Sequence, residues 1–188
     1  FGESQDPFTK KYTHVHSDGT LVMTPGPHTD EVVLGKWCSH SLFTALKVYL
    51  SFLELTDAQR VVVDEKAGAD GADIGTSSSF DVSVIVAEPT PYGVKAAKQI
   101  SEILDRFDAP YVFVGNKVYD QDDIDFLNTH LGELATVFYA SKFMARSDHD
   151  ADTPENIQAI KNLHEAIENS RPTLTRLERT REKLSSKE

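Results

Sequence analysis

A chain of 188 residues with 39% apolar side chains is long enough to bury one core of ordinary size and too apolar to stay disordered. Its formal net charge of −11, from 30 acidic against 19 basic residues, repels nucleic acid and anionic lipid over most of the surface, so direct binding to either is not expected. The single cysteine, Cys38, allows no intrachain disulfide, no apolar stretch approaches the roughly 18 residues that span a bilayer, and no secretory leader opens the chain, which together predict a cytoplasmic protein. The start at Phe1 rather than Met is what a fragment, a processed product or only the ordered part of something longer would show.

Residues 1–11 have no periodicity and are expected to be irregular. Tyr12 to Thr24 alternates strand-forming residues around Ser17-Asp18-Gly19, the pattern of a hairpin. Leu42, Leu46, Leu50 and Leu53 fall at helical spacing and predict a helix over 41–54, capped by Ser39 or Ser41. Val61-Val62-Val63-Asp64 then reads as a buried strand over Arg60–Asp64, with the carboxylate at its carboxyl end and a polar, Gly-rich loop over 65–79 behind it.

A second apolar strand is expected from Asp81, ended by Pro89, because proline cannot continue a central ladder. Val94, Ala97, Ile100, Ile103, Leu104 and Phe107 form the stripe of an amphipathic helix over 93–107. Strand Tyr111–Gly115 leads into Asn116-Lys117-Val118, a short acidic helix covers Asp122–His130, and Leu134–Tyr139 is a fourth strand. A helix over 154–170 starts on Asp152 or Thr153 with Pro154 in its first turn, and a charged helix over 172–184 follows. Strands alternating with helices in this rhythm predict an α/β fold with a mostly parallel sheet flanked by helices, residues 1–150 as the α/β domain and 151–188 as a helical extension.

Ligands bind at the carboxyl edge of such sheets, so Asp64 is the first candidate for chemistry. A carboxylate there holds Mg²⁺ through water, or merely caps the next turn. Asn116-Lys117 by itself also reads as a plain strand-to-helix turn. The acidic run Asp120, Asp122, Asp123 and Asp125 lacks the glycine and terminal glutamate of a calcium loop and reads as a helix start, where acids suit the helix dipole. His14 and His16 share a strand face, the wet side of a hairpin more readily than a metal pair.

Val61 to Gly68, Gly75-Thr76, Phe80 to Pro89 and Val114 to Val118, in this order and spacing, resemble the MinD/ParA-like P-loop ATPases. Within that group they are most similar to the nickel-insertion accessory ATPases of carbon monoxide dehydrogenase, which carry a D-x-x-A-G switch, a strand ending in Glu-Pro and a later Asn-Lys. Trp37-Cys38-Ser39-His40 before the Leu-rich helix matches their cysteine-containing loop. The resemblance covers about residues 19–140 and implies an ATP- or ADP-binding homodimer with nucleotide between subunits, serving a metalloenzyme client. It implies that Asp64 acts on the Mg²⁺ water shell, that Ala67 and Gly68 sense the γ-phosphate, that Asn116 reads the adenine edge and that Lys117 lies along the base or ribose. The relatives bind Ni²⁺ or Zn²⁺ with a Cys-x-Cys pair across the dimer; here His40 replaces the second cysteine, and Cys38 with His40 from two chains would complete a Cys₂His₂ set. A lone thiol at a helix start is the alternative for Cys38.

The sequence departs from the family in two places. The family's Lys-Gly-Gly-x-Gly-Lys-Thr loop, which cradles the phosphates, has no counterpart, since Gly35-Lys36-Trp37 has neither the glycine run nor the hydroxyl. Glu65-Lys66 and Ala69-Asp70 replace the usual switch residues. Hydrolysis by this chain alone is therefore not expected. Either an upstream segment carries the loop, or the chain is a non-catalytic scaffold that keeps the fold for protein interaction.

Overall fold

The structure is a computed structural model and describes residues 7–24, 43–53, 55, 59–65, 68, 79–140, 153–170, 172 and 174–185. The chain forms two compact units, Phe1–Asp64 and Glu65–Glu188.

In the first unit, helix α1 (Pro7–Tyr12) leads into β1 (Thr13–Val15), which pairs antiparallel with β2 (Leu21–Met23) in the register Thr13↔Met23 to Val15↔Leu21. The hairpin matches the sequence pattern, and its turn is built as expected: Gly19 takes φ +88°, which its lack of a Cβ permits, and the Asp18 carboxylate accepts from Thr20 N–H at 2.8 Å. Helix α2 (Phe43–Phe52) falls inside the expected 41–54. The irregular lead-in expected over residues 1–11 is corrected by α1, which tertiary contacts secure despite its weak periodicity: Phe8 stacks on Tyr49 at 4.8 Å, and the hydroxyls of Thr9 and Tyr49 hydrogen-bond at 2.6 Å.

The strand expected over Arg60–Asp64 is also corrected. Residues 59–65 belong to neither a helix nor a strand, and Val62 is 93% exposed. A β-branched run favours extension, but a strand exists only through its ladder, and among the described residues no segment pairs with this one.

The second unit is built on a parallel sheet in the order β3-β4-β5: β3 (Ser83–Ala87), β4 (Tyr111–Val118) and β5 (Thr136–Tyr139). Parallel neighbours require crossovers, supplied by α3 (Pro91–Asp105) and α4 (Gln121–Leu131). Along β3 burial alternates, with Ile85 and Ala87 in the core and Val84 and Val86 exposed, so β3 is one-sided rather than buried on both faces. Helix α3 presents Val94, Ala97, Ser101 and Leu104 at spacings of three and four, which buries one stripe against that face. Leu127 of α4 joins them, fully buried with Val118.

Helix α5 (Pro154–Asn169) starts on the Thr153 cap, whose hydroxyl accepts from Asn156 N–H at 3.2 Å, and packs on β5. Asn156 is buried at 3% exposure, and its Oδ1 accepts from Tyr139 N–H at 3.2 Å, so the polar group is satisfied and pins α5 to the end of β5. Helix α6 (Arg176–Ser185) begins with a capping box: Thr175 Oγ1 accepts from Glu178 N–H at 3.3 Å, while Glu178 Oε2 accepts from Thr175 N–H at 2.9 Å. The architecture is thus α/β, a three-stranded parallel sheet flanked by helices, compatible with a P-loop-like fold. Among the described residues no helix is long and apolar enough to cross a membrane.

Candidate functional site

The carboxyl ends of β3 and β4 bring together Glu88, Thr90, Asn116, Lys117 and Tyr119. Each is placed by an identifiable local rule. Pro89 stops β3, Thr90 caps α3 by accepting from Gly93 N–H at 3.0 Å, and Pro91 occupies the first helical turn, where its missing N–H costs nothing. Thr90 N–H donates to the Glu88 carbonyl at 2.7 Å, which folds the link tightly. A Cβ at position 93 would lie 2.5 Å from that carbonyl, so only glycine lets the helix start this close to the strand end.

After β4 the chain makes a parallel device. Asp120 caps α4 by accepting from Asp123 N–H at 3.1 Å, and Asp123 Oδ2 accepts from Tyr119 N–H at 2.8 Å. Asp120, Asp122 and Asp123 therefore serve the helix start, as the sequence suggested. Among the described residues no group of three or more His, Cys, Asp or Glu is arranged to hold a metal ion.

Asn116 and Lys117 lie side by side within β4, where the register shifts between Gly115 and Val118. The Lys117 backbone adopts φ +56°, uncommon for a residue with a side chain. Its ammonium donates to Glu88 Oε1 at 2.5 Å across the strand ends. The hydrogen bond that Lys117 donates to Glu88, then the Glu88 charge, raises the Lys117 pKa above the ordinary lysine value. Asn116 is half-buried, and its side-chain amide, one donor group and one acceptor, makes no hydrogen bond among the described residues.

Of the other expected site residues, Asp64 and Gly68 are among those described. Asp64 is exposed and ends the first unit. Gly68 is exposed in the second unit with φ +89°, a conformation that glycine takes at no steric cost. Ala67, Cys38 and His40 lie outside the described residues, as do Gly75-Thr76. Near the hairpin, His16 Nδ1 approaches Asp18 Oδ1 at 3.0 Å, and Asp18 is held below the ordinary aspartate pKa chiefly by the Thr20 N–H, then by the Thr20 hydroxyl and His16. His16 thus serves the turn. Glu88 has no role in the sequence reading beyond its place in the Glu-Pro landmark; a carboxylate at a strand end just ahead of Thr-Pro, a cap and a first-turn proline, is the signal that marks it.

The fold and this edge define the class: an α/β protein with polar side chains gathered where open parallel sheets bind ligands. Over 118 residues, 63% of its length, the chain is 29% identical to a protein of Methanocaldococcus jannaschii described as an uncharacterized ATP-binding protein. The alignment covers 46% of that relative, so the chain spans about half the length of the curated relative it matches. No protein-family model matches the chain, and no solved structure matches it.

Proposed function

We propose that this chain is a nucleotide-binding protein that takes ATP or ADP at the carboxyl edge of β3 and β4, with Asn116 reading the adenine. The observation that carries the reading is the similarity to an ATP-binding protein, joined to a half-buried amide at the sheet's carboxyl edge that makes no hydrogen bond among the described residues. An amide offers one donor and one acceptor in a plane, the pattern that complements an adenine edge.

Within this reading the chain is MinD/ParA-like and close to the nickel-insertion accessory ATPases, on the strength of the ordered landmarks from Val61 to Val118. Asp64 acts on a Mg²⁺ water shell, Ala67 and Gly68 sense phosphate, and two copies enclose the nucleotide. Cys38 and His40 of each copy hold Zn²⁺ or Ni²⁺ for a metalloenzyme client. The role proposed is binding rather than turnover, because residues 1–188 contain no glycine-rich lysine loop.

Titration of ATP with Mg²⁺ into ¹⁵N-labelled protein tests the reading, since chemical shifts follow binding into the millimolar range. Saturable shifts are expected, weakened roughly tenfold by Asn116→Ala for the loss of a base contact worth about 1–2 kcal/mol. Equal response of wild type and Asn116→Ala would refute the assignment of Asn116. Zinc dialysis against wild type and Cys38→Ala tests the metal role, which equal, negligible uptake by both would exclude.

A further inference from the structure

The irregularity in β4 has a defined cause and an unusual occupant. Three steps along β4, from Gly115 to Val118, match two along β5, from Val137 to Tyr139, so β4 carries one extra residue. Residues three apart in a regular strand face opposite ways. Here they share the core face: a Cβ at Gly115 would lie 3.0 Å from Leu127 Cδ1 and 3.4 Å from Val118 Cγ2, and Val118 is buried in the cluster that contains Leu127. The bulge thereby displaces Asn116 and Lys117 from the alternation and re-aims them, which is the usual effect of a bulge beside a site.

Glycine is the default residue at the left-handed position of a bulge. At position 117 the chain has lysine at φ +56° instead, and the lysine is engaged. Its Nζ reaches Glu88 Oε1 at 2.5 Å. Glu88 in turn belongs to the tight link clamped by the 2.7 Å Thr90 N–H bond and by the close approach of Gly93. The bridge therefore ties the bulge of one strand to the tight turn at the end of its neighbour.

We infer that Glu88 is a positioning residue for base recognition: its bridge to Lys117 holds the β4 bulge, and the bulge fixes the direction in which Asn116 presents its amide. This rests on the nucleotide reading above. Glu88 does not touch the base. It acts on selectivity, because an amide matches the donor and acceptor of adenine, whereas guanine presents two acceptors on its corresponding edge. A wandering Asn116 would lose that distinction.

The test compares wild type, Glu88→Gln, Lys117→Met and the charge-exchanged E88K/K117E protein, each titrated with ATP and separately with GTP, followed by ¹⁵N shifts, with thermal melts to show folding. Glu88→Gln and Lys117→Met should weaken ATP roughly twofold to fivefold, the size of effect an exposed ion pair carries, and move the ATP-to-GTP affinity ratio toward one. The exchanged protein should recover affinity and ratio, and Glu88→Gln should shift the Asn116 and Lys117 amide resonances without ligand. If wild type binds ATP and Glu88→Gln matches it in affinity, ratio and resonances, the role of Glu88 is overturned and the nucleotide reading stands. An equal loss for ATP and GTP would overturn base positioning. Failure of wild type to bind either nucleotide would overturn the nucleotide reading and this role with it.

Discussion

Substituting Gly93 by alanine sets two physical effects against each other, and their magnitudes decide the sign. Gly93 lies in the first turn of α3 at an ordinary helical φ, so helix propensity alone predicts that Gly93→Ala stabilises the protein by about 1 kcal/mol. The structure predicts the reverse. The new Cβ would sit 2.5 Å from the Glu88 carbonyl oxygen and 3.1 Å from the Glu88 nitrogen, both backbone atoms. Since carbon and oxygen approach no closer than about 3.3 Å in ordinary contacts, the strand end and helix start must separate by roughly 0.8 Å. That motion also stretches the 2.7 Å Thr90 N–H bond to Glu88, so the overpacking penalty belongs near the upper end of the usual range, about 3 kcal/mol. Subtracting the propensity gain leaves a loss of about 2 kcal/mol. For a chain of this length that lowers the melting temperature by about 4–8 °C. Differential scanning calorimetry on wild type, Gly93→Ala and the exposed helix control Lys98→Ala measures it, with the control within about 0.5 kcal/mol of wild type. An unchanged or raised melting temperature for Gly93→Ala would refute the close approach on which the geometry of Glu88 depends.

Three further outcomes are expected. Leu127→Ala removes a fully buried side chain between α4 and the sheet and should destabilise the protein by about 2–5 kcal/mol in urea unfolding, with the slope unchanged. Asp120→Ala should cost about 1 kcal/mol through the lost α4 cap, and Asp120→Asn should recover most of it. Glu178 is held below the ordinary glutamate pKa by its bonds to the Thr175 hydroxyl and N–H. A depressed carboxylate pKa contributes stability above the unfolded value, lost as pH falls through the folded one. The α6 amides should therefore lose protection from hydrogen exchange below about pH 4.5, the ordinary value, and Glu178→Gln should abolish that pH dependence.

Legibility of the fold in the sequence followed the range of the interactions involved. The hairpin, α3, α4 and α5 are written in local rules: a Gly19 turn, a stripe from Val94 to Leu104, and caps at Thr90, Asp120 and Thr153. The segments misread depend on partners distant in sequence. Pro7–Tyr12 has no amphipathic pattern, and its helix is held by Phe8 and Thr9 against Tyr49. Val61-Val62-Val63 has the composition of a strand, yet residues 59–65 form none. At the edge of the sheet, Asn116 and Lys117 were legible as residues that follow an apolar strand. The bulge was not, because it shows only as a mismatch of register with β5, and the carboxylate that bridges to Lys117 lies 29 residues away.

The central claim is that an adenine nucleotide sits at the carboxyl edge of β3 and β4. Its most direct measurement is residue-resolved NMR of the labelled protein titrated with ATP and Mg²⁺. The account predicts that the largest saturable shifts fall on Glu88, Thr90 and Asn116 to Tyr119. Absence of saturable shifts, or their concentration on α5 and the β1-β2 hairpin, would contradict it.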